Sequence, residues 1–301
     1  MVSMWAIEAQ ELRKSFGDVQ ALRGVSFSVS SAEVFGLLGP NGAGKTTTVR
    51  ILTCVLKPDS GSARVLGYDV VEQPQRVKEQ IGVVPEEANA YPDLSAWKNL
   101  VYLAQLYGLS KREAEKRAAT LLKEFGLYER RDSLVRAFSK GMRQRLMLCM
   151  ALISDPILLF LDEPTSGLDV QSARMIRQKI LEAREDGKTI LLTTHNMFEA
   201  EQLCEKIAII NRGKIVEVDT LQGLREKVGD YRVVEFAFDK EPEAMPLKAE
   251  KVGEKYRVIT RDPHSFLCEV VDFARNSGLR IADLIVRPPS LEEVFVKLTE
   301  S

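Results

Sequence analysis

"VFGLLGPNGAGKTTT", residues 34–48, runs from a short apolar stretch through a glycine-rich turn into Lys45, Thr46, Thr47 and Thr48. A continuous apolar run of this length reads as a strand covered on both faces, as in a parallel sheet. Gly39, Gly42 and Gly44, with Asn41 and Ala43 between them, let the backbone turn so that its N–H groups converge. The helix that follows presents its positive end to the same point. Strand, G-x-x-x-x-G-K-[ST] and helix in that order make a phosphate-binding loop. Lys45 is placed to reach the β- and γ-phosphates of a nucleotide, Thr46 offers its hydroxyl to Mg²⁺, and Thr47 shares the first turn.

Three further runs, "ILLFLDE" (157–163), "TILLTTH" (189–195) and "IAII" (207–210), repeat the buried-strand pattern, with helical stretches between them. That alternation predicts a parallel α/β core with its ligand at the carboxyl ends of the strands. The first of these runs ends in two adjacent acids. Asp162 suits Mg²⁺, bound through water, and Glu163 suits orienting and deprotonating an attacking water. His195 closes the next run at the same sheet edge; it is read either as a satisfied structural histidine or, in this company, as a donor to the γ-phosphate. His264 gets only the structural reading.

Between the first and second runs the texture changes. "SKREAEKRAATLLKEFGL" (110–127) opens with Ser110 and Glu113 in capping-box spacing, carries an apolar stripe and stops at Gly126, so residues from about 86 to 155 are read as a helical insertion. Within it, "FSKGMRQR" (138–145) places Ser139, Lys140 and Gly141 at a second helix start suited to an anion. Beyond residue 221 the strands "YRVVEFAF", "YRVIT" and "RIADLIV" alternate with the helices "PHSFLCEVVDFARNS" and "PSLEEVFVKLTE", the latter capped by Ser290. Residues 1–221 are therefore read as one domain and 222–301 as a small α+β domain.

The 42 basic and 43 acidic residues give a formal charge of −1, so no global field draws the chain to nucleic acid or to an anionic membrane, and a nucleic-acid partner is not expected. Cys54, Cys149, Cys204 and Cys268 are widely spaced among apolar neighbours, as core thiols would be. The N-terminal "MVSMWAIEAQ" lacks the pattern of a signal peptide. The most apolar window (146–161) is broken by Ser154, Asp155 and Pro156 and is too short to span a bilayer.

On these residues the chain resembles the ATP-binding subunit of an ATP-binding cassette (ABC) transporter. The likeness covers about residues 1–220 and rests on ordered features: phosphate loop, glutamine-loop region, signature sequence, acidic strand, "SGLD" and switch histidine. It implies a P-loop NTPase cassette with a helical insertion, with ATP and Mg²⁺ as cofactors. The family signature, normally Leu-Ser-Gly-Gly-Gln, corresponds to Phe138–Met142 and grips the ATP of a facing subunit; Ser139 and Gly141 are thus implied contacts across a dimer. Asp169, in "SGLD", falls on the loop by which paired subunits touch. Phe16 falls where the family stacks an aromatic ring on adenine, the alternative being a core or surface phenylalanine.

Two positions depart from the family. Glu86 stands where a glutamine usually contacts Mg²⁺ and the attacking water, and Lys140 and Met142 replace a glycine and a glutamine of the signature. Arg143 and Arg145 are expected to face solvent or carboxylates. The resemblance further implies a second ATP-binding subunit and a separate transmembrane permease, docked on an apolar groove near Tyr91, Pro92, Leu94 and Trp97, at the cytoplasmic face of the membrane. The C-terminal part resembles the tail of drug, antibiotic and polysaccharide exporters; its role is to stabilise the dimer, to regulate the ATPase, or simply structural. The rival readings are a soluble ABC ATPase acting on a macromolecular complex and a nucleotide-binding scaffold that does not hydrolyse.

Overall fold

The computed structural model describes residues 5–87, 90–242 and 244–299, and contacts divide it into two units, one ending at Val218 and the other beginning at Asp219. The sequence reading drew its boundary after residue 221, past the strand in which the contacts draw it.

The first unit opens with β1 (Trp5–Phe16) and β2 (Val19–Ser30), an antiparallel pair. β3 (Val34–Leu38) then runs into the phosphate loop and α1 (Lys45–Leu52). β4 (Ser60–Val65) and β5 (Tyr68–Asp69) return to the first pair and complete a four-stranded sheet in the order β2-β1-β4-β5. The sequence reading passed over this sheet. Its alternation is broken in β1, where register shifts on either side of Leu12 and a positive φ at Glu11 mark bulges that erase the period of two.

After α2 (Pro74–Lys78) comes β6 (Ile81–Val84), then α3 (Ala96–Leu106), α4 (Lys111–Glu124) and α5 (Lys140–Leu152). The chain continues through β7 (Leu158–Asp162), α6 (Val170–Glu185), β8 (Thr189–Thr194), α7 (Met197–Leu203), β9 (Lys206–Asn211) and β10 (Lys214–Asp219). Six strands form the second sheet in the order β10-β9-β3-β8-β7-β6, and β6, β7, β8, β3 and β9 pair in parallel. The Ser110–Glu113 capping box at α4 is complete.

β3, β7 and β8 are buried along their whole length because their two faces serve two cores. Leu158 and Phe160 of β7 face the cluster shared with the antiparallel sheet, in which Phe27 stacks on Phe35 at 5.4 Å. Leu159 and Leu161 face the cluster shared with α3, α4, α5 and α6. At Gly82 of β6 an added Cβ would run into the carbonyl oxygen of Ala151 in α5. Gly82→Ala is expected to destabilise the fold by about 1–3 kcal/mol through overpacking. Thermal melting checks this: an unchanged Tm would mean that α5 can withdraw freely from β6.

The second unit contains α8 (Leu221–Val228), β11 (Arg232–Phe238), β12 (Glu250–Val252), β13 (Lys255–Thr260), α9 (Pro263–Asn276), β14 (Ile281–Arg287) and α10 (Leu291–Thr299). Its sheet runs β12-β13-β11-β14, wholly antiparallel, over a core of Val234, Phe236, Tyr256, Phe266 and Val270. β12 carried no sequence signal because all three of its side chains are exposed. Ser290 caps α10, accepting the Glu293 N–H at 3.3 Å.

The cysteine reading needs correction. Cys149 is buried and Cys54 and Cys204 partly so, but Cys268 is exposed. It lies on α9 between Phe266 and Val270, which point into the core; two positions away on a helix is the opposite face.

Candidate functional site

The phosphate loop is built by contrast with the other helix starts. Ser95, Ser110, Asp169 and Asn196 cap α3, α4, α6 and α7 with side-chain oxygens. α1 starts instead at Gly44, with φ 110 and no side-chain cap, so its first N–H groups stay available to an anion. A side chain at Gly44 would meet the Ala21 carbonyl at 2.8 Å as well as strain the backbone. Lys45, 6% exposed, donates to the Gly39 carbonyl at 2.7 Å and to that of Pro40 at 3.3 Å.

The acids sit at the end of β7. Asp162 is buried and accepts a short hydrogen bond from the Thr193 hydroxyl of β8. Glu163, just past the strand, has φ 51, a left-handed conformation that a side chain tolerates only when its surroundings impose it. Its N–H donates to the Thr193 carbonyl at 3.1 Å. Its Oε2 lies 2.9 Å from His195 Nδ1, and its Oε1 lies 3.4 Å from Lys45 Nζ. That Oε1 atom is buried and accepts no hydrogen bond among the described residues. Buried carboxylate oxygens normally have a donor, and here the nearest cation is the Lys45 ammonium at 3.4 Å.

A cavity of about 650 Å³ gathers Phe16, Asn41, Gly42, Ala43, Gly44, Lys45, Thr46, Thr47, Glu86 and Glu163 along one wall system. Phe16 is 50% exposed at the end of β1, so the core alternative is excluded, and the Lys14 ammonium lies over its ring at 5.8 Å. The cavity also includes Arg23 and Arg212, which the sequence reading missed. Arg212 and Gly213, both at positive φ, form the two-residue connection between β9 and β10. A hairpin signal was there to be read, but not the direction of the arginine.

Gly39 contributes its carbonyl, and Asp162 lies buried at the strand end. Among the described residues no group of three or more His, Cys, Asp or Glu could hold a metal ion alone. Thr46 and Glu86 line the cavity of about 650 Å³, whereas Asp162, buried at the end of β7, does not.

His195 borders a second cavity of about 370 Å³, with Glu163, Thr165, Gly167 and Glu199. Glu199 was also missed in the sequence. It is 1% exposed, its Oε1 accepts the Thr165 hydroxyl at 2.6 Å, and burial holds its carboxyl above the ordinary range.

Ser139, Gly141 and Asp169 line neither cavity. Ser139 caps α5 by accepting the Met142 N–H at 3.2 Å. Asp169 caps α6, accepting the Ser172 N–H at 2.9 Å and the Ser172 hydroxyl at 2.7 Å, bonds that lower its pKa. At Gly141 an added Cβ would lie 2.5 Å from the Ser172 hydroxyl, so the starts of α5 and α6 are packed together. The Lys140 ammonium lies where a Gly167 Cβ would be. Arg145 departs from expectation: it donates to the carbonyls of Phe125, at 3.1 Å, and Gly141, at 3.4 Å, rather than to carboxylates.

The segment read as a docking groove divides. Tyr91 and Pro92 are exposed, with Tyr91 edge-on to Tyr102 at 5.8 Å, whereas Trp97 packs against the insertion core. Among the described residues no helix is long and apolar enough to cross a membrane.

Residues 22–166 match the family model described as ABC transporter. The linearmycin resistance ATP-binding protein of Bacillus subtilis strain 168 is 33% identical over 97% of this chain and 98% of its own length. A Nod factor export ATP-binding protein I from Rhizobium sp. strain N33 is 38% identical over 99% of this chain and 98% of its own. Among solved structures, a dimeric post-hydrolysis state of the ATP-binding cassette MJ0796 bound to ADP and Pi matches with a TM-score of 0.66 at 26% identity, covering 71% of this chain and 98% of that one.

Proposed function

The chain belongs to the ABC transporter family, and we propose that two such cassettes close head to tail on two ATP molecules to drive export through a separate membrane subunit. It is an ATP-binding, ATP-hydrolysing subunit. The observation that carries the paired arrangement is the separation of its two helix starts. The phosphate loop faces the cavity, while Ser139 and Gly141, beside Asp169, stand outside it. Ser139 is exposed and can meet the nucleotide of a facing cassette, with Gly141 packed behind it against Ser172.

In this reading the Lys45 ammonium exchanges the carbonyls of Gly39 and Pro40 for β- and γ-phosphate oxygens. Phe16 stacks on the adenine, and the N–H groups from Asn41 to Thr47 surround the phosphates. Glu163 accepts a proton from the attacking water as the water oxygen bonds to the γ-phosphorus and ADP leaves. His195 holds Glu163 Oε2, leaving Oε1 for that water. Thr46, Asp162 and Glu86 would hold Mg²⁺, which supplies charge neutralisation on the phosphate oxygens.

ATP bridges both cassettes through its γ-phosphate, whereas ADP leaves Ser139 without an anion. Moving such an equilibrium from open to closed takes about 5.5 kcal/mol of differential binding, within reach of a few charge-assisted hydrogen bonds at each of two sites. The relatives are named for linearmycin resistance and Nod factor export, which favours export here. The exposed Tyr91, Tyr102, Leu106 and Tyr107 supply an apolar surface for the membrane subunit. Residues 219–301 act as an accessory domain.

The composite site is tested by mixing two inactive variants, Lys45→Ala and Ser139→Arg. Each alone should fail to hydrolyse ATP. In a mixed dimer one site keeps both an intact phosphate loop and an intact signature, so the mixture should regain activity. A mixture as inert as its parts would count against pairing in trans.

Glu86 adds a carboxylate where an amide is usual, beside the phosphates. Glu86→Gln is expected to raise turnover by about two- to tenfold and to shift the Mg²⁺ dependence, since the amide adds a donor and removes a negative charge. Identical Mg²⁺ titrations for parent and variant would dismiss this role.

A further inference from the structure

Glu163 is the residue with the tightest geometric demands in the site, and the means of holding it are only partly explained by Thr193 and His195. Its left-handed φ of 51 begins a turn in which the Ser166 N–H donates to the Glu163 carbonyl and the Leu168 N–H donates to that of Thr165, both within 3.2 Å. Glu163 and Thr165 are buried while Ser166 and Gly167 are exposed, so the strained start of the turn must be held from its buried side.

The candidate is Glu199, the third residue of α7. Asn196 and Glu199 have the spacing of a capping box, in which the glutamate would reach back to the N–H of the capping residue. Only half of that box forms: Asn196 Oδ1 accepts the Glu199 N–H at 3.2 Å, while the Asn196 N–H goes to the Thr194 hydroxyl. The Glu199 side chain is directed elsewhere, to the Thr165 hydroxyl at 2.6 Å and to the Thr194 hydroxyl beside His195. A carboxylate 1% exposed that forgoes its local partner for a hydroxyl 34 residues away in sequence is an anchor between two segments. One segment follows the base and the other follows His195, and all four residues border one cavity.

We infer that Glu199 is a positioning residue: through Thr165 it fixes the turn after Glu163 and so holds the base in register with His195. This rests on the reading of Glu163 as the base. Glu199 does not line the cavity of the phosphate loop, so its removal should slow the chemical step and leave ATP binding alone. A misplacement of about 1 Å in such a group costs on the order of 10²-fold in rate.

The test is steady-state hydrolysis by the full chain as a function of ATP concentration. Glu199→Ala and Thr165→Val should each lower kcat about ten- to a hundredfold with KM within about twofold, and the double variant should be no slower than either. Glu199→Gln keeps an acceptor oxygen for the Thr165 hydroxyl and should recover most of the rate. Should Glu199→Ala fail to fold, Thr165→Val and Glu199→Gln decide. Additive losses, KM rising in step with the fall in kcat, or Glu199→Gln as slow as Glu199→Ala would overturn the inference. If Glu163→Gln is slow while Thr165→Val and Glu199→Ala are fast, only this inference fails. If Glu163→Gln hydrolyses at the parental rate, the assignment of the base fails first.

Discussion

Glu163→Gln is expected to keep ATP binding and to lose hydrolysis by about 10²–10⁴-fold, the range that a positioned general base supplies. The amide is nearly isosteric and leaves Lys45 and the N–H groups of the loop untouched, so nucleotide affinity should hold. With hydrolysis stopped, the closed state has no exit, and Mg-ATP should accumulate a paired species visible by size-exclusion chromatography or light scattering. His195 offers a second readout: it now faces an amide in place of a carboxylate at 2.9 Å. The imidazole NMR signals of His195 should move in the variant, because the ring loses the carboxylate beside it. Parental turnover would sink the assignment; absence of a paired species would sink the closure.

Lys45→Ala is expected to abolish ATP binding at concentrations that saturate the parent. Each charge-assisted hydrogen bond to a phosphate contributes about 1.5–3 kcal/mol, so losing two corresponds to roughly 10²–10⁴-fold in Kd. Fluorescent-nucleotide titration reads this directly. The variant carries a second cost, because Lys45 and Glu163 are both buried and 3.4 Å apart, and deleting the cation leaves the carboxylate with His195 Nδ1, at 2.9 Å, as its remaining side-chain partner. The nucleotide-free variant should therefore also melt lower than the parent. Retained affinity would mean that the loop N–H groups alone carry the phosphates.

Much of this site could be read before any coordinates. The strand into the loop, the uncapped α1, the two acids at the end of β7 and His195 at the end of β8 each follow from residues close together in the chain. Their periodicity or spacing fixes local geometry, and local geometry is what a sequence expresses most directly. The antiparallel sheet was harder, because the bulges in β1 that shape its twist also scramble the alternation. Cys268 was misread because apolar neighbours in sequence are not neighbours on a helix. Arg145 was misread because a guanidinium is as well satisfied by two backbone carbonyls as by a carboxylate, and composition does not distinguish them.

By itself the sequence determined that this chain grips phosphate: a glycine turn between a buried strand and a helix leaves N–H groups converging where an anion binds well. What fills the space around that loop was settled by tertiary structure. Thr193 was brought to Asp162, His195 to Glu163, Arg212 to the cavity and Glu199 to Thr165 by the pairing of β7 with β8 and the return of α7. These contacts join residues about thirty positions or more apart, and their partners are chosen by strand order and burial, which no local spacing encodes.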